Sequence, residues 1–200
     1  MFDERMRRMK EIAFDPLAQP LRLIPPWMLS VVGLLLGIGA AVALWQQAYP
    51  VGLVLWFLNR VFDGLDGTVA RARGAQSDFG GYLDIIVDFV VYALIPVGLA
   101  LGQPSNAVIL SLVFLLCTYY VNAASWMYLA AILEKRNLSR GDKLTTITMP
   151  TGIIGGTETI LFYTVFILFP VHLVWLFSLM GLLILFTIMQ RLVWAARHLS

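Results

Sequence analysis

Long apolar runs separated by short polar breaks set the layout of this chain. The runs fall at 27–47, 51–71, 80–101, 106–133, 152–169 and 171–195. Crossing a bilayer as a helix takes about 20 residues, and each run is of that order. The breaks are turn-like: Gln46 to Pro50, Gly102 to Asn106, and Phe169-Pro170. The pattern predicts an all-α integral membrane protein with six transmembrane helices. One domain is expected over 1–200, with a leader at 1–25 and a six-helix bundle at 27–195, since no internal repeat, low-complexity tract or linker interrupts the pattern. Ala41-Val42-Ala43 has the small-x-small form of a signal-peptide cleavage site. The apolar stretch around it is long and follows a charged, proline-punctuated leader, so it is read as a retained span.

Charge orients this layout. Composition is 60% hydrophobic and 13% charged, with a formal net charge of +2. That balance excludes an ordinary soluble domain, and no nucleic-acid partner is expected. With a cytoplasmic amino terminus, Arg5, Arg7, Arg8, Lys10, Arg22, Arg71, Arg73, Lys135, Arg136, Arg140, Lys143, Arg191 and Arg197 all lie inside. Arg60 is the exception, and the opposite loops carry no Lys or Arg. Both termini are therefore placed in the cytoplasm. In the leader, Phe2, Met6, Met9 and Ala13 recur at helical spacing among the basic residues, as in an amphipathic helix on an anionic leaflet. The alternative is a disordered basic tail. Cys117 has no intramolecular disulfide partner and reads as a small buried hydrophobe.

The acidic residues break the apolar logic. Asp63 and Asp66 are three apart near the cytoplasmic end of the second span, so they share a helix face. Asp84 and Asp88 are four apart on the third span, with Gly80 one turn earlier. Folding this hairpin is expected to bring four carboxylates to similar depth, facing one another. Each uncompensated Asp at a helix centre costs about 2.5–3.5 kcal/mol even on insertion scales. Arg60, Arg71 and Arg73 are too few to neutralise the cluster, whereas hard divalent cations suit an all-oxygen site. With no His or Cys in the cluster, zinc is disfavoured. Gly67 and Gly80, interleaved with the acids, read as places of close ligand approach, whereas Gly33, Gly37 and Gly39 read as a helix-packing ridge. Metals, a phosphate-sized gap and bases at the membrane surface point to phosphoryl chemistry on a partly lipid substrate.

Other residues carry two readings each. Arg60 either compensates a carboxylate or binds substrate phosphate. Glu158 in the fifth span either recognises the acceptor, or makes a structural pair with Arg60 or hydrogen bonds to Thr157 and Thr159. Glu134 to Lys143 is expected to be a cytoplasmic loop meeting lipid headgroups, or alternatively a contact for the donor pyrophosphate. His172 and His198 lie at span ends and are poor catalytic candidates. Trp27, Trp45, Tyr49 and Trp194 read as interfacial anchors.

Asp63, Asp66, Gly67, Ala70, Arg71, Gly80, Asp84 and Asp88 satisfy D-x2-D-G-x2-A-R-x8-G-x3-D-x3-D at every spacing. On these residues the chain resembles the CDP-alcohol phosphotransferase family. The resemblance implies six transmembrane helices, an active site open to the cytoplasm, a homodimer and, for this chain, a bacterial inner membrane. It implies that Asp63, Asp66 and Asp84 ligate divalent metal, Mg²⁺ or Mn²⁺ as two ions, with Asp88 at the edge. It further implies that Gly67, Ala70, Arg71 and Gly80 accommodate the CDP moiety, and that Asp88 is general base for the acceptor hydroxyl. Pro26-Trp27-Met28-Leu29-Ser30 aligns with a P-N-x-[IL]-[ST] element of many relatives, with Trp in place of Asn. The expected reaction displaces CMP from CDP-diacylglycerol by a small polar alcohol. Its rivals are a soluble CDP-alcohol donor with diacylglycerol as acceptor and, in another class, a divalent cation transporter.

Overall fold

The computed structural model describes residue 20 and residues 24–140 and 152–199, without the side chains of 137–140. The expected leader helix lies outside the described residues. Those residues form helices and no strand: α1 (Pro26–Trp45), α2 (Tyr49–Ala72), α3 (Asp78–Gly102), α4 (Asn106–Arg140), α5 (Gly156–Leu168) and α6 (Leu173–His198), with a 3₁₀ turn at Pro170–His172 before α6. Pro26 and Pro50 open α1 and α2, where a missing N–H costs nothing. The Ser77 hydroxyl caps α3 by accepting from the Gly80 N–H at 3.0 Å. Gly74, at φ +60, turns the chain out of α2.

Among the described residues, four helical segments are long and apolar enough to cross a membrane: Pro26–Trp45, Asp78–Gly102, Asn106–Arg136 and Pro170–His198. Helix α2 has the length, 24 residues, but Arg60, Asp63, Asp66 and Arg71 dilute its apolar character. Helix α5 is apolar and shorter, 13 residues, because Gly155 and Gly156 delay its start beyond residue 152. Helix α4 runs on through Arg140, so residues 134–140 are helical, not a loop. Glu, Lys, Arg and Leu there are good helix formers once the chain has left the bilayer.

The chain divides into two compact units, Met1–Gln103 and Pro104–Ser200. In the first, α1 packs against both α2 and α3, while α2 and α3 make little backbone approach to each other. Small residues set this arrangement. A Cβ on Gly37 would lie 2.5 Å from Val91 Cγ2, and one on Gly52 2.5 Å from Leu44 Cδ2. A Cβ on Gly98 would strike the Ala41 carbonyl oxygen, and one on Gly102 would lie 2.7 Å from the Leu44 carbonyl. Of the expected ridge on α1, Gly37 is tightly enclosed, whereas a Cβ on Gly33 or Gly39 would find ordinary contact at 3.7 and 3.5 Å, and the other close crossings lie at glycines of α2 and α3. In the second unit α4 packs on α6, and Phe166 meets Phe177 edge-on with ring centroids 4.9 Å apart. Cys117 is exposed on this unit, contrary to the buried expectation.

Candidate active site

The acid-bearing helices splay apart around α1, and a cleft of about 420 Å³ opens between them at the end where α1 begins. Helix α2 contributes Asp66, Gly67, Ala70 and Arg71 to its wall, and α3 contributes Gly80, Gly81 and Asp84. Pro26, Trp27 and Ser30 of α1 and Ala75, Gln76 and Ser77 of the connecting turn complete it. Six residues of the spaced motif thus line one cavity. Trp27, expected as an interfacial anchor, is part of this wall.

The two glycines of the wall differ in kind from those of the helix crossings. A Cβ on Gly67 would meet only the Arg71 side chain, at 3.5 Å, and one on Gly80 only Ser77 Oγ, at 3.2 Å. No helix packs on them among the described residues. Their missing side chains leave room in the cleft itself, which is the arrangement a closely approaching ligand requires.

The carboxylates fall into two pairs. Asp66 and Asp84 border the cleft. Asp66 is 6% exposed, and its Oδ2 accepts from Ser30 Oγ at 2.6 Å, a charge-assisted bond that ties it to α1. Asp63 and Asp88 lie instead around Arg60. Its Nη1 is 2.9 Å from Asp88 Oδ1 and 3.7 Å from Asp63 Oδ2. The expectation of four acids directly facing one another is thus refined: α2 and α3 stand apart, and Arg60 spans the gap between them. Of the two readings of Arg60, the geometry shows compensation.

Side chains outside the motif hold this arrangement. Asn59, fully buried, donates from Nδ2 to the Gly33 carbonyl at 2.8 Å and accepts from Arg60 Nε at 2.8 Å. Tyr92 Oη accepts from Arg60 Nη1 at 2.9 Å. Helical spacing carries the signal for both. Asn59 lies one turn before Asp63, and Tyr92 one turn after Asp88, so each extends an acidic face. Arg71 Nη2 donates to Thr68 Oγ1 at 3.2 Å, and Arg73 Nη1 to the Ile24 carbonyl at 2.8 Å. Glu158, exposed, accepts from the Gly155 N–H at 3.0 Å and caps α5, a local hydrogen bond to Gly155 where Thr157 and Thr159 were the expected partners. His198 stacks on Trp194 with centroids 4.5 Å apart.

The donor set suits a hard divalent cation: carboxylate oxygen alone, beside a cavity of diphosphate size. Among the described residues, no three His, Cys, Asp or Glu side chains are already drawn together as a ligand cage. Ser30 and Arg60 hold Asp66, Asp63 and Asp88 instead.

Comparison with known proteins agrees with this chemistry. Residues 23–196 match the family model described as CDP-alcohol phosphatidyltransferase. "Inner membrane protein YnjF" of Escherichia coli (strain K12) is 35% identical over 173 residues, 86% of this chain and 82% of that protein. "CDP-diacylglycerol--serine O-phosphatidyltransferase" of Methanocaldococcus jannaschii is 42% identical over 65 residues, 32% of each chain. A crystal structure of Mycobacterium tuberculosis phosphatidylinositol phosphate synthase (PgsA1), with CDP-DAG bound, has a similar fold. Its TM-score is 0.65 at 20% identity, covering 93% of this chain and 92% of that one.

Proposed function

The chain belongs to the CDP-alcohol phosphatidyltransferase family, and from that premise we propose that it transfers a phosphatidyl group from CDP-diacylglycerol to a small polar alcohol, releasing CMP. Family membership makes it a transferase of phosphate-containing groups and sets aside the cation-transporter reading. One observation carries the finer proposal: motif acids and motif glycines line the same cleft. The solved neighbour with CDP-DAG bound and the serine transferase relative named for CDP-diacylglycerol support that donor.

In this reading Gly67, Ala70, Arg71 and Gly80 receive the CDP moiety. The glycines give its phosphates close access, and Arg71 supplies positive charge at the cleft wall. Trp27 adds an aromatic face at the rim. Asp63, Asp66 and Asp84, with Asp88 at the edge, hold Mg²⁺ or Mn²⁺ as two ions. Positive charge held there by these carboxylates would polarise the diphosphate and offset the charge that develops on departing CMP. Asp88 accepts the hydroxyl proton as the acceptor oxygen forms its bond to phosphorus and the bond from phosphorus to the CMP oxygen breaks. CMP leaves with the electron pair of that bond.

The same reading places six spans in a single membrane domain, supported by a family match that runs through both units. It places termini and cleft at the cytoplasmic face, supported by the Lys and Arg distribution, in a homodimer of a bacterial inner membrane. Purified protein with Mg²⁺ or Mn²⁺ is to be given CDP-diacylglycerol labelled in its cytidine and a panel of serine, glycerol phosphate, inositol phosphate and choline. Labelled CMP is expected to appear with one panel member. Release only from a soluble CDP-alcohol in the presence of diacylglycerol would reverse donor and acceptor.

A further inference from the structure

Arg60 is absent from the motif, yet its guanidinium joins α2 to α3. The side chain is 8% exposed. Its carbon Cζ lies 4.9 Å from the Trp56 ring centroid and 5.0 Å from that of Tyr92. Cation–π attraction to both rings fixes the plane of the fork. Asn59 fixes its Nε end and is itself anchored to the Gly33 carbonyl of α1. The Nη1 end reaches across to α3, to Asp88 Oδ1 and Tyr92 Oη, both at 2.9 Å. Nη2 is buried without a hydrogen-bond partner among the described residues.

We propose that Arg60 is the standing counter-charge and positioning residue of Asp88, and that this pairing divides the acids by role. The inference rests on the reading of Asp88 as general base. A guanidinium bonded to Asp88 Oδ1 competes with a dication for that carboxylate and repels it. Asp66 and Asp84, on the cleft, and Asp63 serve the metal, while Arg60 confines Asp88 to the edge of its coordination. A base has to keep one oxygen uncoordinated, because a metal occupies the lone pair that takes the proton. Arginine suits this task better than lysine. It does not give up its own proton, so it holds Asp88 charged and oriented without entering the transfer, while Oδ2 remains for the acceptor hydroxyl.

The test uses full-length protein in lipid nanodiscs with two readouts: Mn²⁺ binding by electron paramagnetic resonance, and CMP release from CDP-diacylglycerol with the most active acceptor of the panel. Arg60→Gln is expected to lower kcat by about 100-fold, the lower end of what general-base catalysis contributes, with the donor KM and Mn²⁺ affinity retained or the affinity increased. Arg60→Lys, keeping the charge without the fork, is expected to recover part of the kcat. Asp88→Asn is expected to weaken Mn²⁺ binding far less than Asp84→Asn does. The proposal is overturned by undiminished kcat in Arg60→Gln, by Mn²⁺ binding that falls in step with kcat there, or by Asp88→Asn weakening Mn²⁺ binding as Asp84→Asn does. Failure of the base reading looks different: Asp88→Asn itself would then turn over at the wild-type rate.

Discussion

Asp88→Asn is expected to lower kcat by about 10²–10⁴-fold, the contribution of a positioned general base, with the protein still folded. The amide is isosteric and can still accept from Arg60 Nη1, now 2.9 Å from Asp88 Oδ1. It cannot take a proton from the acceptor hydroxyl. Arg60 keeps a counter-charge in Asp63, 3.7 Å away, and its two aromatic neighbours, so the helix pairing survives. Initial rates of CMP release, with thermal melting of the same preparation, check the two halves separately. A variant that melts as wild type and still releases CMP at full rate would place the base elsewhere.

Gly98→Val is expected to have the largest effect on stability, about 3 kcal/mol, the upper end of ordinary overpacking costs. At Gly98, α3 crosses α1 so closely that even a Cβ meets the Ala41 carbonyl oxygen, a backbone atom that cannot rotate away. The helices have to part, and parting them also disturbs Gly37 against Val91 and Gly102 against Leu44, on the same α1–α3 contact. Gly67→Ala is the internal control. Its new methyl would meet only a flexible arginine at 3.5 Å, and replacing Gly by Ala inside a helix favours the fold by roughly 1 kcal/mol. It is expected to melt no lower than wild type while weakening donor binding, because the methyl enters the cleft. Melting curves in detergent read the first effect and donor KM the second. Equal destabilisation by both substitutions would remove the distinction between crossing glycines and cleft glycines.

The helices were largely legible because a bilayer fixes their length: α1, α2 and α3 lie within a few residues of the apolar runs that foretold them. Where the bilayer stops dictating, legibility ends. Residues 134–140 continue α4 although their charges read as a loop, since hydropathy cannot tell a cytoplasmic helical extension from a turn. The family and the motif residues were legible as a spacing pattern, and the cleft gathers six of them. The division of the acids was not. Periodicity puts Asp63 with Asp66 and Asp84 with Asp88, each pair on its own helix. The pairs that form, Asp63 with Asp88 around Arg60 and Asp66 with Asp84 on the cleft, run across helices. They depend on α1, which packs on both α2 and α3 and is tied to α2 through Ser30 on Asp66 and Asn59 on Gly33, contacts between residues far apart in sequence.

Calorimetric titration of the purified protein with CMP, in the presence and absence of Mn²⁺, addresses most directly the claim that this acidic cleft holds a cytidine nucleotide through divalent metal. Saturable CMP uptake that requires Mn²⁺ and is lost in Asp66→Asn and in Asp84→Asn is expected. CMP uptake indifferent to the metal, or no uptake of either by protein that melts as a folded species, would contradict it.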